Sequence, residues 1–297
     1  MKLVMTLLVR DEADIVRHNL EFHYAQGVDH VIAMDNNSLD GTDAVLEEYA
    51  REGRLTLHRQ TSDEYRQSEW VTAMAMEGRA RHGADWILAN DADEFYRPSQ
   101  GTLKDVLAAS GERLLDLRRY NMVSSFEALA RRPWEETLIW RSVTEAGPPM
   151  LRDIYADPFP RPFFCQKLPG KVVMPARGLV RVEAGQHGAA YDPSKPAEFS
   201  TDITVYHFPI RRLEPFLRKN WVVGRATEED AGLPPDRNWK TRRWYRMIEA
   251  GREDAVRREV LPSRLRLLRE RALGEVVRDE ALRRDFARLG FPRPPAA

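Results

Sequence analysis

Two aspartates one residue apart, Asp91 and Asp93, close an apolar run in the stretch ILANDADEF, residues 87–95. Carboxylates paired at the end of a buried strand make a hard-oxygen site, suited to Mg²⁺ or Mn²⁺ that also holds phosphate oxygens. Alternation along an extended chain points Asp91 and Asp93 to one side and Ala92 to the other. The competing reading is a solvated turn with Asp93 or Glu94 as a cap, but Phe95 and Tyr96 follow at once and would bury it. A further carboxylate, Asp35, opens the stretch DNNSLDGT, residues 35–42. Asn, Asp, Ser and Gly favour turns, and Asp40 or Thr42 is placed to cap a helix. A turn does not explain a carboxylate at the last position of a strand, where it can accept from a ribose hydroxyl or a base N–H.

The elements that would position these residues alternate regularly. An unbroken apolar run at 3–9 reads as a parallel strand covered on both faces. Asp11 offers an N-cap to a helix that Gly27 stops. Strands are expected at 28–35, 54–59, 85–91 and 113–122, with helices at 42–52 and 69–83. Strand–helix alternation of this kind predicts an α/β fold with a doubly wound, mostly parallel sheet and helices on both faces. Ligands of such sheets bind beyond the C-terminal ends of the strands. The clusters at 10–12, 35–42 and 90–94 all fall there.

Beyond residue 122 the pattern loosens, with prolines and aromatics dense between Arg132 and Pro175. A late strand at 201–209 ends in Pro209, a helix follows at 213–226, and 228–238 reads as an exposed loop. From Thr241 to Leu289 the chain is helical and arginine-rich, with an apolar stripe through Val256, Val260, Leu261, Leu265 and Leu268. The domain division that follows is 1–225, in halves 1–122 and 123–225, then a loop at 226–240. A helical C-terminal extension at 241–290 and a disordered tail at 291–297 complete it.

Taken together, LLVRDEADIV, DNNSLDGT and ANDADEF resemble the glycosyltransferase family 2 pattern on a GT-A fold. The stretches YRQSEWVTAMA, RRYNMV, GQH and VYHFPIRRLEPFLRK resemble a bacterial branch of it, so the likeness spans roughly residues 2 to 220. The resemblance implies a nucleotide-sugar donor, Mn²⁺ or Mg²⁺, and glycosyl transfer to a glycan or other saccharide. By position it implies that Val9, Arg10 and Glu12 surround the donor's base and ribose, and that Asp35 and Asn37 meet the nucleoside. It further implies that Asp91 faces ribose or metal, and that Asp93 ligates the metal.

Such folds often complete the metal shell with a late histidine, and His187 and His207 are the two candidates. His207 ends a strand before Pro209 and is expected as the ligand, with His187 near the diphosphate or acceptor. Lys171, Lys167, Arg211, Arg212, Arg218 and Lys219 are candidates for diphosphate contacts, Lys171 foremost. An acceptor hydroxyl needs a general base. Glu127, Glu145 and Asp153 are possible, and none stands out. The rival from another class is a non-catalytic nucleotide-sugar-binding protein with a degenerate transferase site.

Composition bounds the rest. Lys+Arg and Asp+Glu both total 46 in 297 residues, so net charge points to no nucleic-acid partner. The single cysteine, Cys165, excludes an intrachain disulfide and fits a reducing compartment. The N-terminal apolar run is too short to cross a membrane, so a cytoplasmic protein with at most peripheral membrane contact is expected.

Overall fold

Seven apolar or β-branched residues in a row, LVMTLLV, form strand β1 (Leu3–Val9) with six of them buried. The computed structural model describes residues 1–60, 66–147, 151–230, 232, 234 and 238–291. Its chain continues through α1 (Val16–Ala25), β2 (His30–Asn36), α2 (Thr42–Arg51), β3 (Leu55–Gln60), α3 (Gln67–His82) and β4 (Trp86–Asp91). Then come β5 (Glu94–Pro98), α4 (Leu103–Ala109) and β6 (Leu114–Val123). Two short helices, α5 (Phe126–Leu129) and α6 (Trp134–Thr137), lead to β7 (Trp140–Ser142). Strands β8 (Lys171–Pro175), β9 (Leu179–Val182), β10 (Ala189–Tyr191) and β11 (Ala197–His207) follow. The C-terminal third holds α7 (Leu213–Glu229), α8 (Trp239–Glu249), α9 (Glu253–Val260), α10 (Arg264–Ala272), β12 (Val276–Arg278) and α11 (Ala281–Arg288).

One compact unit comprises Met1–Arg119, Pro169–His207 and Asp285–Phe291. Its centre is the parallel set β4–β1–β2–β3, as the alternating pattern predicts. Antiparallel β8 and the first part of β6 extend it beyond β4, and β11 pairs with β5 and β6. The core under the sheet includes Val4, Ile32, Val71, Met74, Ile87, Val172 and Met174. Gly78 of α3 sits where a Cβ would lie 3.1 Å from Ile87 and 3.2 Å from Val4, so the missing side chain lets helix and sheet approach.

The other unit, Tyr120–Leu168 with Phe208–Arg284, is built around aromatic rings: Phe163, Phe164, Phe216 and Trp244 form a chain of ring contacts. Buried Arg243 pairs with Glu259 and donates to the Ile154 and Asp157 carbonyls at 2.9 and 2.8 Å. Cys165 is buried there, and burial pushes its thiol up to about 12. Strand β12, inside the region expected to be helical, pairs with β7, which pairs with the end of β6.

Three local expectations are corrected. Asp11 does not cap α1: the helix begins after Ile15, and Asp11 has a left-handed φ of 54°. Residues 91–94 are not an extended chain, because β4 stops at Asp91, Ala92 and Asp93 turn, and β5 starts at Glu94. The helix expected to end at 226 continues to Glu229. Part of the expected loop at 228–238, and all of the expected disordered tail 291–297 except Phe291, lie outside the described residues; Phe291 itself is placed, stacked on His18 at 4.3 Å.

Candidate functional site

Register brings the strand-end carboxylates together. Val9 of β1 pairs with Asp35 of β2, and on its other side Leu8 pairs with Asp91 of β4. Asp35 and Asp91 are therefore two strand spacings apart, roughly 10 Å. Strand β11 pairs antiparallel with β5, and that register sets His207 opposite Glu94.

Two loops at this edge are laced to each other, which accounts for most of their polar residues. Asp11 accepts from the Leu39 N–H at 2.8 Å, and its own N–H donates to Ser38 Oγ at 3.0 Å. The Glu12 N–H donates to Thr42 Oγ1, and the Ala13 N–H to Asp40 Oδ2. Asp40 also accepts from the N–H and hydroxyl of Thr42 at the start of α2. Asn37 is exposed in a left-handed conformation, and Arg10 is half-buried.

Asp35 stands apart from this scaffold. It is 5% exposed, its Oδ2 accepts weakly from the Ser38 N–H at 3.4 Å, and its Oδ1 is buried without a hydrogen-bond partner among the described residues. A buried acceptor left unpaired is costly, and a ligand donor is one way to satisfy it. Asn36 Oδ1 and Asn90 Oδ1 share that condition.

Around the β4–β5 turn the charges form one network. Lys171 is 1% exposed and its ammonium lies 2.7 Å from Asp91 Oδ2, 3.0 Å from Glu94 Oε2 and 2.6 Å from Gln186 Oε1. Fully buried Glu94 also pairs with Arg119 at 2.8 Å. Burial alone would lower the Lys171 pKa, but Asp91 and Glu94 reverse this and raise it. Burial would likewise raise the Glu94 carboxyl, and Lys171 and Arg119 hold it below its usual range. Both groups are therefore charged at neutral pH. Gly170 makes the close placement of Lys171 possible: a Cβ there would lie 2.4 Å from the Leu117 carbonyl oxygen.

Asp93 follows in the turn, with its Oδ2 3.4 Å from His207 Nε2. Asp93, Glu94 and His207 offer donor atoms within 4.8 Å of one another, and among the described residues this is the group with the composition of a metal site. Carboxylate oxygen with imidazole nitrogen suits Mn²⁺ and also admits Mg²⁺. Within this group Glu94 also pairs with Lys171 and Arg119. His187 is not in this group; its Nδ1 lies 2.6 Å from the Gly170 carbonyl oxygen, and desolvation lowers its pKa against that bond.

The remaining sequence candidates lie in the other unit. Glu145 pairs with Lys167 at 2.6 Å, Asp153 accepts from the Tyr155 and Ala156 N–H groups, and Glu127 accepts from the Arg264 N–H. Arg211 donates to the Phe208 carbonyl. Three participants were given no role from the sequence, Arg119, Gln186 and Asn19, and Glu94 was weighed only as a cap. Glu94, Arg119 and Gln186 lie inside the quoted stretches ANDADEF, RRYNMV and GQH, and Asn19 is a polar residue on the buried stripe Val16, Leu20, His23 of α1.

Comparison with known proteins bears on the first part of this site. Residues 5–114 match the family model described as Glycosyltransferase family 92. Over that stretch the chain is similar to a glycosyltransferase. The motif resemblance named family 2, whereas the matching model is that of family 92, and it stops before Lys171, His187 and His207. No curated protein matches the chain. Among solved structures, TarS 1–349 of S. aureus in complex with UDP-GlcNAc shares 14% identity at a TM-score of 0.45, covering 84% of this chain and 73% of that one. A longer TarS structure shares 13% at 0.41, and this chain spans 41% of its length. HddC from Yersinia pseudotuberculosis shares 8% at 0.34, covering 70% of this chain and 93% of that one. Among the described residues no helix is long and apolar enough to cross a membrane.

Proposed function

We propose that the protein is a glycosyltransferase that takes a nucleotide-sugar donor with Mn²⁺ or Mg²⁺ and passes the sugar to a saccharide hydroxyl. The observation that carries this reading is that Asp35 and Asp91 end parallel strands on either side of β1, with Asp93 in the turn directly after, within a segment similar to a glycosyltransferase family. Asp35 accepts from the nucleoside through its unpartnered oxygen, with Val9, Arg10, Glu12 and Asn37 around it. Asp91, fixed by Lys171 and Gln186, faces the ribose side of the donor. Asp93 and His207 hold the cation, and Lys171 and Arg119 keep Glu94 ionised beside it. Such a cation, when bound, stabilises negative charge on a departing nucleoside diphosphate. His187, in the loop after Gly185, is placed to meet the donor's phosphates or the acceptor.

A panel of nucleotide sugars, assayed for hydrolysis and transfer with Mn²⁺ and with EDTA, tests the proposal. Metal-dependent turnover of at least one donor is expected. The local engagement of Glu127, Glu145 and Asp153 favours a second reading, a binding protein without turnover. Donor binding without hydrolysis or transfer would establish that alternative.

A further inference from the structure

Helix α1 contributes no group to the proposed donor site, yet two of its residues grip the turn that does. Asn19 and His23 lie one helical turn apart and are both 0% exposed. The Asn19 amide nitrogen lies 3.3 Å from the Asp91 carbonyl oxygen, 2.9 Å from that of Ala92 and 2.8 Å from that of Glu94. Its own Oδ1 accepts from the Asn90 side chain at 2.9 Å. His23 Nδ1 donates to the Asn19 carbonyl at 2.9 Å, and its Nε2 accepts from the Tyr96 N–H at 3.3 Å. Residues 90, 91, 92, 94 and 96 are thus held from behind by two buried side chains.

We infer that Asn19 is a positioning residue for the cation site, an inference that rests on the metal reading of Asp93 and His207. The turn at Ala92 and Asp93 has two residues between strands that pair with different partners, β4 with β1 and β5 with β11. Nothing in either ladder sets the rotation of the peptides in between. An amide whose two N–H groups are shared among three carbonyls fixes that rotation, and with it the direction in which the Asp93 carboxylate leaves the backbone. Asp, which presents oxygens to three carbonyl oxygens, and Ala or Leu, which present no donor, cannot repeat this. Supporting groups of this kind commonly govern metal affinity without touching the metal.

The test titrates Mn²⁺ alone into the full chain by electron paramagnetic resonance, comparing wild type with Asn19→Ala, Asn19→Asp, Asn90→Ala and Asp93→Ala. Asp93→Ala is expected to abolish the bound signal. Asn19→Ala and Asn19→Asp are expected to weaken Mn²⁺ roughly tenfold or more while the fold persists by circular dichroism. Asn90→Ala, which leaves the Asn19 donor in place, should weaken it less and serves if neither Asn19 variant folds. In donor hydrolysis the Asn19 variants should regain part of their rate at high Mn²⁺, which a merely unstable protein would not do. Unchanged Mn²⁺ affinity in the folded Asn19 variants, or in Asn90→Ala alone if those do not fold, overturns the positioning role while Asp93 stands. Unchanged affinity in Asp93→Ala overturns the metal reading itself.

Discussion

Asp35 and His207 carry opposite kinds of information at the residue scale. Asp35 is an unfinished hydrogen-bonding group, buried with one oxygen unpaired among the described residues. Replacing it with Asn keeps the shape and removes the charge. Nucleoside diphosphate affinity should fall by roughly 1–3 kcal/mol, the usual loss for a charged acceptor. Isothermal titration with the bare nucleoside diphosphate measures it, and equal affinities would return residues 35–42 to the role of a connecting turn. His207 is instead placed by its strand, opposite Glu94 and 3.4 Å from Asp93. His207→Ala should weaken Mn²⁺ measured with nucleoside diphosphate present, whereas His187→Ala should lower turnover more than metal binding. A normal Mn²⁺ titration for His207→Ala beside a weakened one for His187→Ala reverses the assignment. Both histidines were visible in the sequence as late candidates. What sequence could not supply was the β5–β11 register, because it joins residues more than a hundred positions apart.

At the scale of elements, the central parallel strands β1, β2 and β4 were legible because each carries an apolar run ended by polar residues. Strand β5 was not, since EFYRP follows the aspartates with no turn residue such as Gly or Pro to mark the reversal. The turn is made instead by tertiary bonds from α1, and those bonds make a pH-sensitive seam. His23 uses Nδ1 as donor and Nε2 as acceptor, so it must be neutral: a proton on Nε2 would face the Tyr96 N–H. Burial lowers its pKa from 6.5 to about 4. Because the folded value lies below the unfolded one, the stabilising effect is complete above about pH 6.5 and is lost as pH falls towards 4. Across that window the loss reaches roughly 3 kcal/mol. Urea unfolding at a series of pH values should show this slope in the wild type and a shallower one in His23→Gln. Parallel slopes for the two proteins would show that His23 is not the group responsible.

The chain's last helix shows at the scale of the whole molecule what composition conceals. The sequence reads the arginine-rich end as a helical extension with an apolar stripe through Val256, Val260, Leu261, Leu265 and Leu268, a stripe that stops short of the last described helix. Yet Asp285–Phe291 fall within the same compact unit as the sheet that carries the carboxylates. Arg97 of β5 donates to Asp285 at 2.7 Å, with Asp285 mostly buried. Phe286, 5% exposed, packs edge-on against Phe22 of α1 at 6.4 Å and Phe95 of β5 at 5.1 Å between ring centroids. Those two rings lie on the same pair of elements that Asn19 and His23 join, so Phe286 closes the outer side of the seam behind the turn. Phe286→Ala removes a buried ring and leaves a cavity, with an expected cost of about 3–5 kcal/mol. Asp285→Ala removes a partly exposed ion pair and should cost at most about 1 kcal/mol. Thermal unfolding of both variants orders them, and a larger loss for Asp285→Ala would mean that charge rather than packing anchors the helix. If the seam supports the site, Phe286→Ala should also weaken Mn²⁺ binding at a temperature where the variant remains folded, although Phe286 belongs to no motif at the sheet's edge.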